Sequence, residues 1–254
     1  MKIKPKPKRR RGSSRYRLLS VEDDAKTIKG TEYGVLTAIC FLAPAKEADG
    51  IHTMCGASTE HCEFACIYET GHGMLPSTKA ARIRRTLLYL QHPDEFYSGL
   101  DADLYQLTRE AAARGLEPAC RPNGTSDQPQ LARRLARRHP SIQFYDYTKI
   151  RKPWLRVLPN YHLTFSYSGE NLSDCMAALK HGINVAVVFS GPLPASWHGY
   201  RVIDGDLSDL RFRDPKGVIV GLRPKGYKWR DLPSGGSNFI QIETAESTNV
   251  LRIA

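Results

Sequence analysis

Apolar and polar positions follow two periods along this chain, and the elements they predict alternate. Residues 33–43, YGVLTAICFLA, form an apolar run with β-branched and aromatic members that stops at Pro44, the pattern of a buried strand. Ser77 reads as an N-cap opening a helix through Leu90, with Ile83, Leu87 and Leu90 on one face. A second helix spans 93–114 and stops at Gly115. Then come a short strand at 116–121, a polar turn PNGTSD at 122–127, a helix at 128–138 and a strand at 142–147. Residues 161–166 read as a strand, 171–182 as a helix ended by Gly182, and 183–189 (INVAVVF) as a continuous β-branched strand. Two further short strands fall at 200–204 and 217–222, and the last thirty residues read as irregular.

Alternating strands and helices imply a parallel sheet with right-handed crossovers. Six or seven strand candidates are too few for a closed eight-fold barrel. The expected fold is α/β, an open or partial (β/α) barrel with a mostly parallel sheet; a doubly wound open sheet is the second choice. The expected organisation is a disordered basic tail at 1–17 and a single α/β domain at 18–254.

One stretch departs from both periods. Residues 52–73, HTMCGASTEHCEFACIYETGHG, hold three of the six cysteines as Cys55-x6-Cys62-x3-Cys66, with little Val, Leu, Ile or Pro. Such a segment packs no core by itself, and clustered thiolates are what a metal or an iron–sulfur cluster takes. Three thiols leave one position of four to fill. His52, His61 or His72 supplies it, or it stays open for substrate or cofactor, as in catalytic sites. The competing reading is of small buried hydrophobes. Cys40 and Cys120 in strands and Cys175 on the apolar side of a helix read that way, and His162 within a strand reads as a core histidine with its hydrogen bonds satisfied rather than a ligand.

In parallel α/β folds chemistry gathers at the C-terminal ends of strands. Polar side chains recur there. Arg121, Asn123, Ser126 and Asp127 are placed to hold a small cofactor, and Lys149 to pair with a carboxylate or phosphate. Ser166, Asp204 and Asp206 end later strands; Ser166 and Asp204 join the cofactor candidates, and Asp204 with Asp206 is placed to bind a hydroxyl pair or an ammonium. Each alone is also ordinary turn chemistry.

Charge sharpens the picture at one end only. The net charge is +11, and residues 1–17 carry nine Lys/Arg and no acid; taking nine from eleven leaves +2 for the rest. Lys6, Lys8, Arg9, Arg10 and Arg11 form an arm that buries nothing and suits polyanions, nucleic acid above all, or acts as a solubilising tail. The N-terminus has no apolar signal segment, which points to a reducing cytoplasm. No apolar run approaches the roughly 18–20 residues of a membrane span.

The succession Cys-x6-Cys-x3-Cys, RPNGTSD, FYDYTK, YHLTFSYS, NVAVVF and VIDGDLSDLRFRDPKGVIVGLRPKG resembles bacteriophage proteins of the gene-product-88-like group, over about residues 33–231. More distantly the layout is similar to radical S-adenosylmethionine enzymes, with three cysteines in the loop after the first strand of a partial (β/α) barrel. Their common spacing is Cys-x3-Cys-x2-Cys. That resemblance implies a [4Fe–4S] cluster on Cys55, Cys62 and Cys66, S-adenosylmethionine at the fourth iron, Tyr68 near the family's aromatic position, and Arg121, Asn123 and Ser126 against the cofactor. The expected function is thus an iron–sulfur protein acting on nucleic acid or nucleotides. The alternative is a non-catalytic nucleic-acid-binding phage protein with structural zinc. Third is a nuclease or initiator using a tyrosine or Asp204/Asp206 with magnesium.

Overall fold

The computed structural model describes residues 16–22, 25–226, 228–231 and 240–241. The basic arm, with Lys6, Lys8 and Arg9 to Arg11, and most of the C-terminal segment read as irregular lie outside the described residues. The strands are β1 (Leu19–Val21), β2 (Val35–Cys40), β3 (Glu117–Arg121), β4 (Gln143–Thr148), β5 (Tyr161–Ser166), β6 (Val185–Phe189), β7 (Ser196–Trp197), β8 (Tyr200–Asp204), β9 (Ile219–Leu222) and β10 (Ile240–Gln241). The helices are α1 (Ala25–Glu32), α2 (Glu60–Phe64), α3 (Pro76–Gln91), α4 (Pro93–Arg114), α5 (Pro129–Arg138) and α6 (Leu172–Lys180).

One mostly parallel sheet runs β1-β2-β3-β4-β5-β6-β9-β8-β7, with β10 added in parallel to β6. Only the two edge pairs, β1–β2 and β7–β8, are antiparallel. From β2 to β6 each strand takes the next place in the same direction. That sequential winding is barrel-like, and β7, β8 and β9 then return toward β6 in the opposite order. Among the described residues no barrel closes, however: β1 and β7 are the edges of an open sheet.

Side-chain alternation divides the sheet into two faces. Leu36, Ala38, Cys40, Cys120, Phe144, Tyr161 and Leu163 pack in one core with Phe96, Leu100, Leu104 and Leu107 of α4 and Leu131 and Leu135 of α5. Phe165, Val185, Val187 and Ile219 continue that layer with Cys175, Ala178 and Leu179 of α6. Cys40, Cys120 and Cys175 are therefore core residues, as expected. On the opposite face Val35, Ala119 and Tyr145 meet Leu210, with Phe212 against them, closing the base of that side. The strand residues nearer the C-terminal ends of this second face are left to line a cavity.

Two local readings change. Leu75, not Ser77, occupies the N-cap of α3, because Pro76 needs no amide partner in the first turn. The buried positions of α3 are Arg82 and Thr86 rather than Ile83, Leu87 and Leu90; the Thr86 hydroxyl accepts from the Ala43 amide at 2.8 Å. The fold also begins before residue 18. Tyr16 is buried and donates to Glu110 at 2.9 Å, and Asp103 accepts from the amides of Arg17, Leu18 and Leu19 at 2.7–3.0 Å. His162 is partly buried with an unpartnered Nε2, and burial pushes its pKa down to about 4.

Candidate cofactor site at the strand ends

A cavity of about 490 Å³ opens at the C-terminal ends of the parallel strands. Loops after β2, β3, β4, β5, β8 and β9 all contribute to it. Cys55, Cys62 and Cys66 stand on one wall, and Arg121, Asn123, Ser126, Asp127, Lys149 and Ser166 line the same space. Asp204 is not among the lining residues; its neighbour Asp206 is.

The cysteine segment is fixed by a few anchors. Met54 and Tyr68 are almost fully buried, and Gly73 lies so close to the Tyr68 carbonyl that an added Cβ would stand 2.5 Å from it. Met54 donates its amide to Ala45 and accepts from the Asp127 amide, both at 2.8 Å, which seats Cys55 beside the turn after β3. Thr59 caps α2 by accepting from the Cys62 amide at 3.3 Å. Burial pushes the Cys55 thiol up to about 11 and raises Cys66 as well, with the neighbouring sulfurs adding to both shifts. Lys149 faces them. Burial alone would lower its pKa, but Cys62, to which it hydrogen-bonds, together with Asp127 and Cys55, holds it above the ordinary lysine value. None of His52, His61 and His72 lines the cavity. His52 is exposed and paired with Asp49 at 2.7 Å. Among the described residues no three His, Cys, Asp or Glu side chains are grouped so as to hold a single metal ion.

The turn after β3 is a buried polar scaffold. Asn123 donates its side-chain amide to Asp146 at 2.9 Å and to the Gln128 carbonyl at 3.3 Å; its carbonyl oxygen accepts from Ser126 Oγ and the Gln128 amide, both at 2.9 Å. Asp146 also accepts from the Asn123 amide at 2.8 Å and from Tyr161 at 3.1 Å. Asn123 and Ser126 thus commit their side chains to the turn. Burial raises Asp146 to about 7 against the pull of Asn123 and Arg121. Asp127 accepts from Thr148 at 3.1 Å and from the Lys149 amide at 2.8 Å, tying this turn to the end of β4. Gly124 is required, because a Cβ there would lie 2.6 Å from both Ile39 and Phe41.

On the far side Asp204 and Asp206 bind Arg223 at 3.0–3.2 Å, and Asp206 binds Lys225 at 2.7 Å. These hydrogen bonds hold both carboxylates below their usual pKa range. The acidic pair read as a cofactor site, or in the third reading as a magnesium site, is here paired with cations from the loop after β9.

Several lining residues were not read from the sequence. Tyr147 and the apolar Ala186, Val188 and Leu222 are inward members of strands, and period-two alternation was the signal that would have found them. Lys29 comes from α1, which the sequence reading did not identify. On α5, Arg134 lies over the Tyr97 ring at 3.7 Å and Arg138 pairs with Asp101 at 2.5 Å, so these two basic side chains are engaged within the fold.

No helix among the described residues is long and apolar enough to cross a membrane. Against protein families, the model described as Gene product 88 matches residues 15–243. No curated protein and no solved structure is significantly similar to the chain.

Proposed function

This chain belongs to the Gene product 88 family, and on that premise we propose that it is an iron–sulfur protein whose cavity is a working site of the radical S-adenosylmethionine type. The observation that carries the reading is the convergence of Cys55, Cys62 and Cys66 on one wall of a cavity built from parallel strand ends, with Lys149 against Cys62. A tetrahedral zinc ion would want sulfurs about 3.8 Å apart, from a Zn–S bond of about 2.3 Å. A four-iron cluster spreads its irons over a cube and takes thiolates from farther apart. Three thiols on one cavity wall, with no histidine among the lining residues, leave a fourth coordination position open to a ligand, as a cluster with an open iron would.

In this reading Cys55, Cys62 and Cys66 hold the cluster. When bound, the cluster supplies one-electron reduction of S-adenosylmethionine, chemistry that belongs to the cofactor rather than the chain. The chain's own residues position and shield. The Lys149 ammonium offsets the negative charge the thiolates carry once deprotonated. Asp127 fixes the Lys149 backbone, and through Met54 the same turn fixes Cys55. Ala186, Val188, Leu222 and Ile240 form the dry side of the cavity. The basic arm with Lys6, Lys8, Arg9, Arg10 and Arg11 supports nucleic acid or nucleotides as the substrate class, with salt-dependent affinity.

Serine at Cys55, Cys62 or Cys66 tests the reading. Each variant should lose brown colour and bound iron while keeping a cooperative unfolding transition, since Met54, Tyr68 and the turn after β3 anchor the loop independently. A zinc-organised loop would instead unfold outright with each serine.

A further inference from the structure

Arg121 ends β3 with its side chain on the cavity face, opposite to Cys120 in the helix-side core. It is 6% exposed, and what remains accessible opens into the cavity. Its guanidinium lies 4.8 Å over the Tyr147 ring. Its hydrogen bond is a long one, 3.4 Å from Nη1 to Asp209, and Nε is buried without a partner. Tyr145 reaches the same Asp209 oxygen, also at 3.4 Å.

A guanidinium has five N–H donors in a rigid fork suited to carboxylate or phosphate. Burying one with a single long hydrogen bond leaves most of that capacity unused, an expensive arrangement unless a further anion completes it. The cavity supplies the room. Ser166 and Lys149 line it, and its lining carries five cations against three carboxylates. The apolar wall of Ala186, Val188 and Leu222 suits an uncharged body.

The geometry points to a second subsite in this cavity, apart from the thiol wall: Arg121, backed by Tyr147 and loosely tethered by Asp209, anchors the anionic group of the substrate, a small molecule with a phosphate or carboxylate joined to a flat, largely apolar body. The inference rests on the cavity being a working site. It does not require the cluster, because Arg121 and its neighbours are placed by β3, β4 and the loop after β8. Asp209 then acts as a stand-in that the incoming anion displaces.

The test uses the full chain carrying Cys55→Ser, which cannot hold the cluster, with calorimetric titration of adenosine 5′-monophosphate, 4-hydroxybenzoate and inorganic phosphate. Saturable binding of at least one of the two organic anions, tighter than inorganic phosphate, is expected; which one binds identifies phosphate or carboxylate. Arg121→Gln should weaken binding about tenfold or more, the loss of a charge-assisted hydrogen bond. Asp209→Asn should strengthen it several-fold, because the competing carboxylate is gone. If Arg121→Gln does not fold, Arg121→Lys, which keeps the charge and loses the fork, takes its place with the same direction of effect. No saturable binding, or binding indifferent to Arg121 and Asp209, overturns the subsite and leaves the cluster reading standing. A wild-type chain that carries no iron, with anion binding intact in the Cys55→Ser chain, overturns the cluster reading alone.

Discussion

Replacing Asn123 by alanine should destabilise the protein by about 3–4 kcal/mol. The side chain makes four hydrogen bonds: 2.9 Å to Asp146, 3.3 Å to the Gln128 carbonyl, and 2.9 Å each from Ser126 and the Gln128 amide. A neutral hydrogen bond contributes about 1 kcal/mol net and one to a charged partner about 2. The long bond to Gln128 is discounted, and water from the adjacent cavity relieves part of the remaining penalty. That stability loss corresponds to a melting temperature lower by about 6–16 °C at this chain length. The effect should also reach the thiols, because the same turn carries the Asp127 amide that holds Met54 and, through it, Cys55. Equilibrium urea unfolding of wild type and Asn123→Ala, with the melting temperature as a second readout, measures the change. A loss below about 1 kcal/mol would refute the reasoning: the turn would then be held by its backbone, and the buried network would be incidental.

Asp146 gives the pH counterpart. Its carboxyl is raised to about 7 in the folded chain against about 3.9 unfolded. The folded state therefore binds the proton more tightly, and this group's contribution to stability falls as pH rises from about 4 through 7, by up to about 4 kcal/mol. Asp146→Asn should flatten most of that slope in melting temperatures taken from pH 5 to 8; an unchanged slope would assign the pH dependence elsewhere. Gly124→Ala pushes a methyl to 2.6 Å from Ile39 and Phe41 and should cost about 1–3 kcal/mol by urea unfolding; a neutral result would mean that the β3 turn moves freely relative to β2.

The parallel sheet was legible because its strands are long apolar runs separated by helices of regular period. The observed β5, β8 and α4 match the expected spans; β3, β4, β6 and β9 shift by at most two residues at either end, and β2 starts two residues later and ends three earlier than expected. The unread elements β1, β7 and β10 are strands of two or three residues, too short to show a period. The strand-end rule brought Arg121, Asp127, Lys149 and Ser166 into one cavity with the cysteines, because a parallel sheet sends all of its C-terminal ends to the same side. It could not separate Asn123 from Arg121. Both stand at the C-terminal end of β3, yet Asn123 turns inward to a carboxylate twenty-three residues away in sequence, a partner no local pattern announces. Asp204 and Asp206 were read as ligands for the same reason, since their partners Arg223 and Lys225 lie beyond another strand. The family resemblance seen in the motif succession is matched over residues 15–243.

The measurement that bears most directly on the three-thiol site is anaerobic purification of the full chain, with iron, acid-labile sulfide and zinc quantified per chain, followed by reduction and electron paramagnetic resonance with and without S-adenosylmethionine. About four irons and four sulfides, with a spectrum that shifts on adding S-adenosylmethionine, is the predicted result. About one zinc, no iron and no shift would contradict it and make Cys55, Cys62 and Cys66 the ligands of a structural ion.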